Sequence, residues 1–240
     1  MKKLASIFAT LLFATLGYSQ NTFWIVKGGT GDEAQHHASS QLDTTAGGNL
    51  LWLYNSSSTP TGVRNIVMEV WPKGSISPSS ELLLAAPYDN LVHNMQIYND
   101  EVYLSAAILT ATTNPNSRAG LIRLDTNGVF ISSFAHNGSQ MGNYGNAYKC
   151  LFLQDTAFVL GQARSSAGSG NREDFYWAKI DLNNNSSLDA KRWNGFGTER
   201  IRDAIATQTG DSVFAAAYSY SHPSNTRPVM FHFDKQGNIV

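Results

Sequence analysis

Residues 119 to 128 read Ala-Gly-Leu-Ile-Arg-Leu-Asp-Thr-Asn-Gly, which alternates apolar and polar side chains and then enters a turn. Alternation with a period of two is typical of a β-strand with one buried face, and an Asp-, Asn- and Gly-rich end is typical of a hairpin turn. The same pattern recurs at residues 65–75, 176–185 and 229–238. The chain therefore repeats one β-strand unit.

The period of this repeat is close to 55 residues. Successive units lie 54, 56 and 53 residues apart, counted from four apolar pairs: Met68 and Val70, Ile122 and Leu124, Ala178 and Ile180, Phe231 and Phe233. A second signal, a turn followed by a β-rich run, recurs at residues 47, 99, 154 and 210. We assign four approximate repeats, 21–75, 76–130, 131–186 and 187–240, which together fill residues 20–240.

Each repeat contains about four short β-runs separated by turn signals, without a helical period. Four strands in roughly 40–55 residues is typical of one blade of a β-propeller, in which sheets pack face to face around an axis. The sequence thus predicts an all-β fold, a partial or small β-propeller with about four four-stranded blades. Two β-sandwich domains would fit the number of strands but not the short period.

One repeat carries a family resemblance. Residues 174–182 read Asp-Phe-Tyr-Trp-Ala-Lys-Ile-Asp-Leu and are followed by Trp193, a glycine-containing turn and Glu199; Trp24, a glycine-rich turn and Glu33 echo the second half of this unit. The pattern resembles the secreted "seven-bladed β-propeller" repeats that are common in exported proteins of Bacteroidetes-like bacteria. That resemblance implies a fold and an exported location, and it brings no catalytic residues.

Two interpretations of the four repeats stay open. Propellers of the resembling type usually need six to eight blades, so the chain could be a fragment of a longer one. Alternatively, the last repeat stops soon after the turn at residues 234–237, and the segment at residues 23–29 begins with the strand that this repeat lacks. Pairing of the two ends would then close a small propeller.

The N-terminus predicts export. Met1-Lys2-Lys3 precedes an apolar run, and Gly17 and Ser19 are the small residues that signal peptidase requires, so residues 1–19 are interpreted as a signal peptide. The apolar run is too short to span a bilayer comfortably, and we expect no transmembrane anchor. The predicted location is secreted or at the cell surface.

Composition excludes some partners. The formal net charge is −1 and charged residues are 15% of the chain, so no basic excess exists to attract nucleic acid. Cys150 is the single cysteine, which precludes an intrachain disulfide and is interpreted as a small buried hydrophobe. No cofactor-binding motif is present. The expected partner is a protein or a carbohydrate.

Candidate catalytic residues are four carboxylates, because glycoside hydrolysis uses a pair of them. These are Glu33, Asp174, Glu199 and Asp203. Glu33 and Glu199 occupy equivalent repeat positions, so a shared role in capping a turn is the simpler explanation of that pair. The candidate binding residue is Tyr144, an aromatic in the glycine- and asparagine-rich stretch 141–147.

Candidate metal ligands lie in the stretch 181–190, where oxygen donors alternate as in the opening of a calcium loop: Asp181, Asn183, Asn185 and Asp189. The sixth position is Ser186 rather than glycine and the twelfth is Arg192 rather than glutamate, which favours a hairpin turn. The adjacent His36 and His37 lack the further ligands that a zinc site needs. The sequence therefore predicts no metal centre.

Three functions remain in competition at this point. The favoured one is an exported, non-enzymatic binding or scaffold module, because no complete catalytic motif accompanies the repeats. The first alternative is a hydrolase or lyase acting on polysaccharide with carboxylates near the propeller axis. The second is a structural spacer within a larger surface protein.

Overall fold

The computed structural model describes residues 41–57, 64–84, 91–109, 117–136, 144–164, 173–193, 198–222, 225–234 and 236–240. Every regular element within these ranges is a β-strand, and no helix among them is long and apolar enough to cross a membrane. The strands are, in chain order, β1 (Gln41–Thr44), β2 (Leu50–Ser57), β3 (Arg64–Trp71), β4 (Ser80–Leu84), β5 (Leu91–Tyr98), β6 (Glu101–Leu109), β7 (Ser117–Asp125), β8 (Phe130–Ala135), β9 (Tyr144–Leu153), β10 (Thr156–Arg164), β11 (Glu173–Asp181), β12 (Ser186–Trp193), β13 (Thr198–Ala206), β14 (Ser212–His222) and β15 (Asn225–Asp234).

These strands form four antiparallel meanders. Sheet 1 contains β1–β4, sheet 2 contains β5–β8, and sheet 4 contains β13–β15. Sheet 3 contains β10–β12, and we count β9, which lies along β10, as its first strand. β9 also makes one parallel bridge to β7, between Ser117 and Tyr144. Repeated sheets in chain order are the arrangement of a partial β-propeller, and they confirm the predicted all-β blade fold.

The two sequence signals fall at constant places in the sheets. The four turn-plus-strand signals lead into β2, β6, β10 and β14, the second strand of each sheet, and the four apolar pairs lie on β3, β7, β11 and β15, the third. The first hairpin of sheet 2 turns at Asn99 and Asp100, whose φ angles are +49° and +58°. Two consecutive left-handed residues make the tight turn that suits twisted strands, and Asn and Asp tolerate that conformation.

The core lies between the sheets. We call the face that a sheet turns to the next sheet along the chain its front face, and the opposite side its rear face. Three apolar clusters fill the interfaces of sheets 1 and 2, 2 and 3, and 3 and 4. The last of these is aromatic, with Phe175 of sheet 3 stacked on Phe231 of sheet 4 at 4.6 Å between ring centroids.

Sheet 1 departs from the register expected for the repeats. Ile122 and Leu124 lie on the rear face of sheet 2, but the matching pair, Met68 and Val70, lies on the front face of sheet 1, so both pairs meet in one cluster. The predicted equivalence of these pairs was therefore wrong by one residue in the first repeat. A shift of one residue turns every side chain of a strand to the other face.

The turn between β15 and the chain end shows why glycine recurs there. Gly237 has a φ of +80°, and a Cβ atom added to it would clash with the Trp177 indole on the front face of sheet 3. Glycine is thus required both by the left-handed backbone and by the close approach of the neighbouring sheet.

The first strands of the sheets lie next to one another in chain order. Gln41 on β1 donates from Nε2 to the backbone oxygen of His93 on β5, at 2.7 Å. The His93 ring lies 4.4 Å from the ring of Tyr148 on β9, between centroids. Lys149 on β9 then pairs with Asp203 on β13. Side-chain contacts therefore join each first strand to the next.

Candidate functional site

The first strands of sheets 2, 3 and 4 line an open cavity of about 410 Å³, which we call the axial cavity. Ligand sites in proteins are typically concavities of 300–1,000 Å³ with a few polar groups among apolar walls. The axial cavity has this composition: its polar or aromatic lining consists of Gln96, Tyr98, Lys149, Phe152 and Asp203, and its remaining lining is aliphatic.

An ion pair forms one side of the axial cavity. Lys149 Nζ lies 2.8 Å from Asp203 Oδ1, and the Asp203 side chain is 66% exposed while that of Lys149 is 23% exposed. The hydrogen bond from Lys149 lowers the pKa of Asp203 below its ordinary value. Asp203 is consequently a carboxylate at neutral pH, suited to accept hydrogen bonds from a ligand rather than to donate a proton.

Two aromatic rings also line this cavity. Tyr98 and Phe152 stack with 4.5 Å between centroids and 7° between planes, and Phe152 also packs against Tyr103 at 4.6 Å. The Tyr98 hydroxyl donates to the backbone oxygen of Gln154 at 3.0 Å. Because these rings pack on one another, each has less side-chain freedom left to lose when a ligand binds.

Cys150 lies behind the axial cavity, with its Sγ atom 3.9 Å from Oε1 of Gln96. The thiol is fully buried, and burial raises its pKa to about 12. A thiol with so high a pKa is neither a nucleophile nor a metal ligand near neutral pH. Cys150 therefore supports Gln96 as part of the core.

The four candidate carboxylates do not lie together. Asp203 lies at the axial cavity, and Glu33 lies outside the described residues. Asp174 is buried on the rear face of sheet 3, where its Oδ2 lies 3.2 Å from Nε of Arg192. Glu199 is buried on the rear face of sheet 4, towards sheet 3, and accepts a hydrogen bond from Ser219 at 3.1 Å. Sheet 3 thus stands between Asp174 and Glu199.

Glu173, which is not among the four candidate carboxylates, shares an interface with Glu199. Glu173 lies on the front face of sheet 3, with its oxygens 3.2 Å from Arg164 and 3.4 Å from Arg200. Glu173 and Glu199 are both buried at the polar end of the interface between sheets 3 and 4. Glu173 is thus paired with an arginine from each of the two sheets.

The predicted calcium stretch forms a hairpin turn. Asp181 Oδ1 accepts from the Asn183 amide nitrogen at 2.9 Å, and its Oδ2 accepts from Asn184 Nδ2 at 2.6 Å. Asn185 has a φ of +50° and donates to the backbone oxygen of Ser133, while Asp189 lies exposed on β12. The Asp181 oxygens therefore serve the turn itself. Across the described ranges, no three His, Cys, Asp or Glu side chains gather as metal ligands would.

The candidate binding residue and the two adjacent histidines of the sequence analysis have side chains outside the described part of the chain. These are Tyr144, which begins β9, and His36 and His37. The cavity residues that sequence reasoning missed are Gln96, Tyr98, Lys149 and Phe152. One signal pointed to Lys149: it is the single charged residue of a largely buried strand, where charge is seldom placed without a partner.

No family model and no curated protein matches this sequence. Among solved structures, the fold is similar to Pyrococcus horikoshii acylaminoacyl peptidase, with a TM-score of 0.51 and 10% identity over 84% of this chain and 31% of that one. For Bombyx mori GH32 β-fructofuranosidase BmSUC1 the TM-score is 0.49 and the identity 10%, over 84% of this chain and 50% of that one. For Cellvibrio cellulosa α-L-arabinanase the TM-score is 0.47 and the identity 10%, over 82% of this chain and 74% of that one. The chain spans a third to a half of the first two proteins. At 10% identity the likeness shows the fold alone, and only the first score exceeds 0.5.

Proposed function

We propose that this chain is an exported binding module that holds a carbohydrate in its axial cavity and does not hydrolyse it. The observation that carries the proposal is the chemistry of the cavity wall. A carboxylate, an ammonium group and a side-chain amide line this cavity together with a stacked aromatic pair. Sugars present hydroxyl groups and apolar ring faces, and such a wall offers partners for both.

The same wall argues against acid–base hydrolysis there. Glycoside hydrolysis uses two carboxyl groups, of which the acid has a raised pKa. Among the described residues that line the axial cavity, Asp203 is the one carboxylate, and its pKa is lowered. Binding is therefore the better supported function of this cavity.

Binding to a glycan array, followed by calorimetry on the best glycan, tests the proposal. We expect Gln96→Ala and Lys149→Met to weaken binding at least tenfold, since each removes a hydrogen-bonding group from the cavity wall. Asn127→Ala is the matched control, because Asn127 lies exposed in a turn of sheet 2. Equal affinities of all four proteins, or binding to no glycan, would overturn the proposal.

Hydrolysis of a polysaccharide is the second candidate, and one observation favours it. Glu173 and Glu199 are buried in the same interface, as two cooperating carboxyl groups would be. Release of reducing sugar from polysaccharides, abolished by Glu199→Gln and by Glu173→Gln, would establish it. The β-fructofuranosidase and arabinanase named above add no argument for this chemistry, because their scores are below 0.5.

Location and type complete the proposal. We propose that residues 1–19 direct export to the medium or cell surface and are removed, and that the repeats are of the secreted "seven-bladed β-propeller" type. The lysines and the apolar run at the N-terminus support export. Mass spectrometry of the protein from its native organism tests this, and a mature N-terminus other than Gln20 would contradict the cleavage site.

A further inference from the structure

A second cavity, of about 500 Å³, lies at the end of the interface between sheets 3 and 4. We call it the outer cavity. It is formed where β9 turns into β10 and β13 turns into β14, with contributions from β11 and the turn after β15. Its polar lining includes Gln154, Thr156, Lys179, Gln208, Thr209 and Gln236.

The outer cavity continues the axial one. Phe152 lines both, because β9 runs between them as it approaches its turn. On the opposite side, Ala206 lines the axial cavity and the next residue, Thr207, lines the outer one. The two spaces are therefore consecutive parts of one groove, which leads from the axis outwards between sheets 3 and 4.

The chemistry changes along this groove. The axial part carries the ion pair and the aromatic side chains. The outer part also carries one cation and one carboxylate, Lys179 and Asp211, whose formal charges cancel, but most of its polar lining consists of uncharged amide and hydroxyl side chains. Gln208, Thr209 and Gln236 are exposed there. Amides and hydroxyls both donate and accept hydrogen bonds, so they complement a ligand that is rich in hydroxyl groups and without net charge.

We propose that the two cavities bind one extended, uncharged oligosaccharide, with the axial cavity holding one part of the chain and the outer cavity holding the following sugar units. This inference rests on the proposed binding of carbohydrate. It adds that the ligand is a polymer and that a short sugar occupies the axial part alone.

Calorimetry with cello-, xylo- and arabino-oligosaccharides of two and six units tests the inference. We expect the six-unit form of the preferred sugar to bind at least tenfold more tightly than its two-unit form. The double variant Gln208→Ala and Gln236→Ala should remove that advantage and leave the two-unit affinity unchanged, since both side chains line the outer cavity only.

Two controls separate the possible failures. Asn127→Ala changes the position in the turn of sheet 2 that corresponds to Gln236 in sheet 4, and it should alter neither affinity. Gln96→Ala, in the axial cavity, should weaken both. Equal affinity for the two-unit and six-unit forms would contradict the groove but not carbohydrate binding in the axial cavity. If the protein bound none of these sugars at either length, both proposals would be wrong.

Discussion

Asn55 exchanges two hydrogen bonds with the backbone of Val92: its Nδ2 donates to the Val92 oxygen and its Oδ1 accepts from the Val92 nitrogen, each at 3.0 Å. The amide side chain on the second strand of sheet 1 thus binds the first strand of sheet 2. Gln162 repeats half of this arrangement between sheets 3 and 4, donating to the backbone oxygen of Glu199 at 2.8 Å. Both partners lie 37 residues further along the chain.

These amides should hold neighbouring blades together to unequal degrees. Asn55→Leu removes the partners of two buried backbone groups, and each such loss costs about 1–3 kcal/mol, so we expect the free energy of unfolding to fall by roughly 2–6 kcal/mol. Gln162→Leu removes one partner and should cost roughly half as much. Urea unfolding at pH 7 measures both, and a larger loss for Gln162→Leu would contradict the comparison.

Two methionines, on the front faces of sheets 1 and 4, should contribute differently to stability because they differ in burial. Met68 is 1% exposed against sheet 2, whereas Met230, on the front face of sheet 4, is 72% exposed. We expect Met68→Ala to lower the free energy of unfolding by about 2–5 kcal/mol and Met230→Ala by less than about 0.5 kcal/mol. Comparable losses in urea unfolding would show that another surface covers Met230 in solution.

Stability should decline below neutral pH through His136. This side chain is 6% exposed, packs against Phe134 and Tyr176, and has no hydrogen-bond partner on either ring nitrogen in the described structure. Burial, and secondarily the charge of Arg118, lowers its pKa. Below pH about 6.5 the unfolded chain therefore binds a proton that the folded chain does not, which reduces stability by at most about 1.4 kcal/mol per pH unit until the folded pKa is reached.

Replacing this histidine isolates the effect. We expect His136→Phe to lose less stability than the parent protein between pH 7 and pH 5, as measured by urea unfolding at each pH. Parallel losses in the two proteins would assign the acid sensitivity to other groups.

Ligand affinity should depend little on pH near neutrality. Because Lys149 lowers the pKa of Asp203, that carboxylate keeps its charge until the pH falls below about 3.9, the ordinary value for aspartate. We expect calorimetry to give one affinity from pH 5 to pH 8, and Asp203→Asn to weaken binding throughout that range. An affinity that falls between pH 7 and pH 5 would point to a different carboxyl group with a raised pKa.

The buried thiol provides a probe of unfolding. With a pKa of about 12 and no exposed surface, Cys150 should react with a thiol reagent at pH 8 only when the interface between sheets 2 and 3 opens. The labelling rate should therefore rise steeply with urea, and fast labelling of the native protein would contradict this packing.

The repeat was readable from the sequence because strand alternation and turn chemistry are local. Residues 119–128 display both, and the structure places them on β7 and in the turn that follows. The register of the first repeat was not readable in this way. Both faces of β3 carry buried apolar residues, with Val67 and Trp71 beside Glu69 on one and Met68 and Val70 on the other, so the pattern did not show which face meets sheet 2.

The β-strand unit, its period and the all-β fold could be read from the chain alone, since each follows from residues close together in it. Which side chains meet depends on how the sheets pack. This packing brought Lys149 to Asp203 across 54 residues and put a whole sheet between Asp174 and Glu199. The reason is physical: neighbours around the axis are set by how the sheets pack face to face, and no local pattern records that packing.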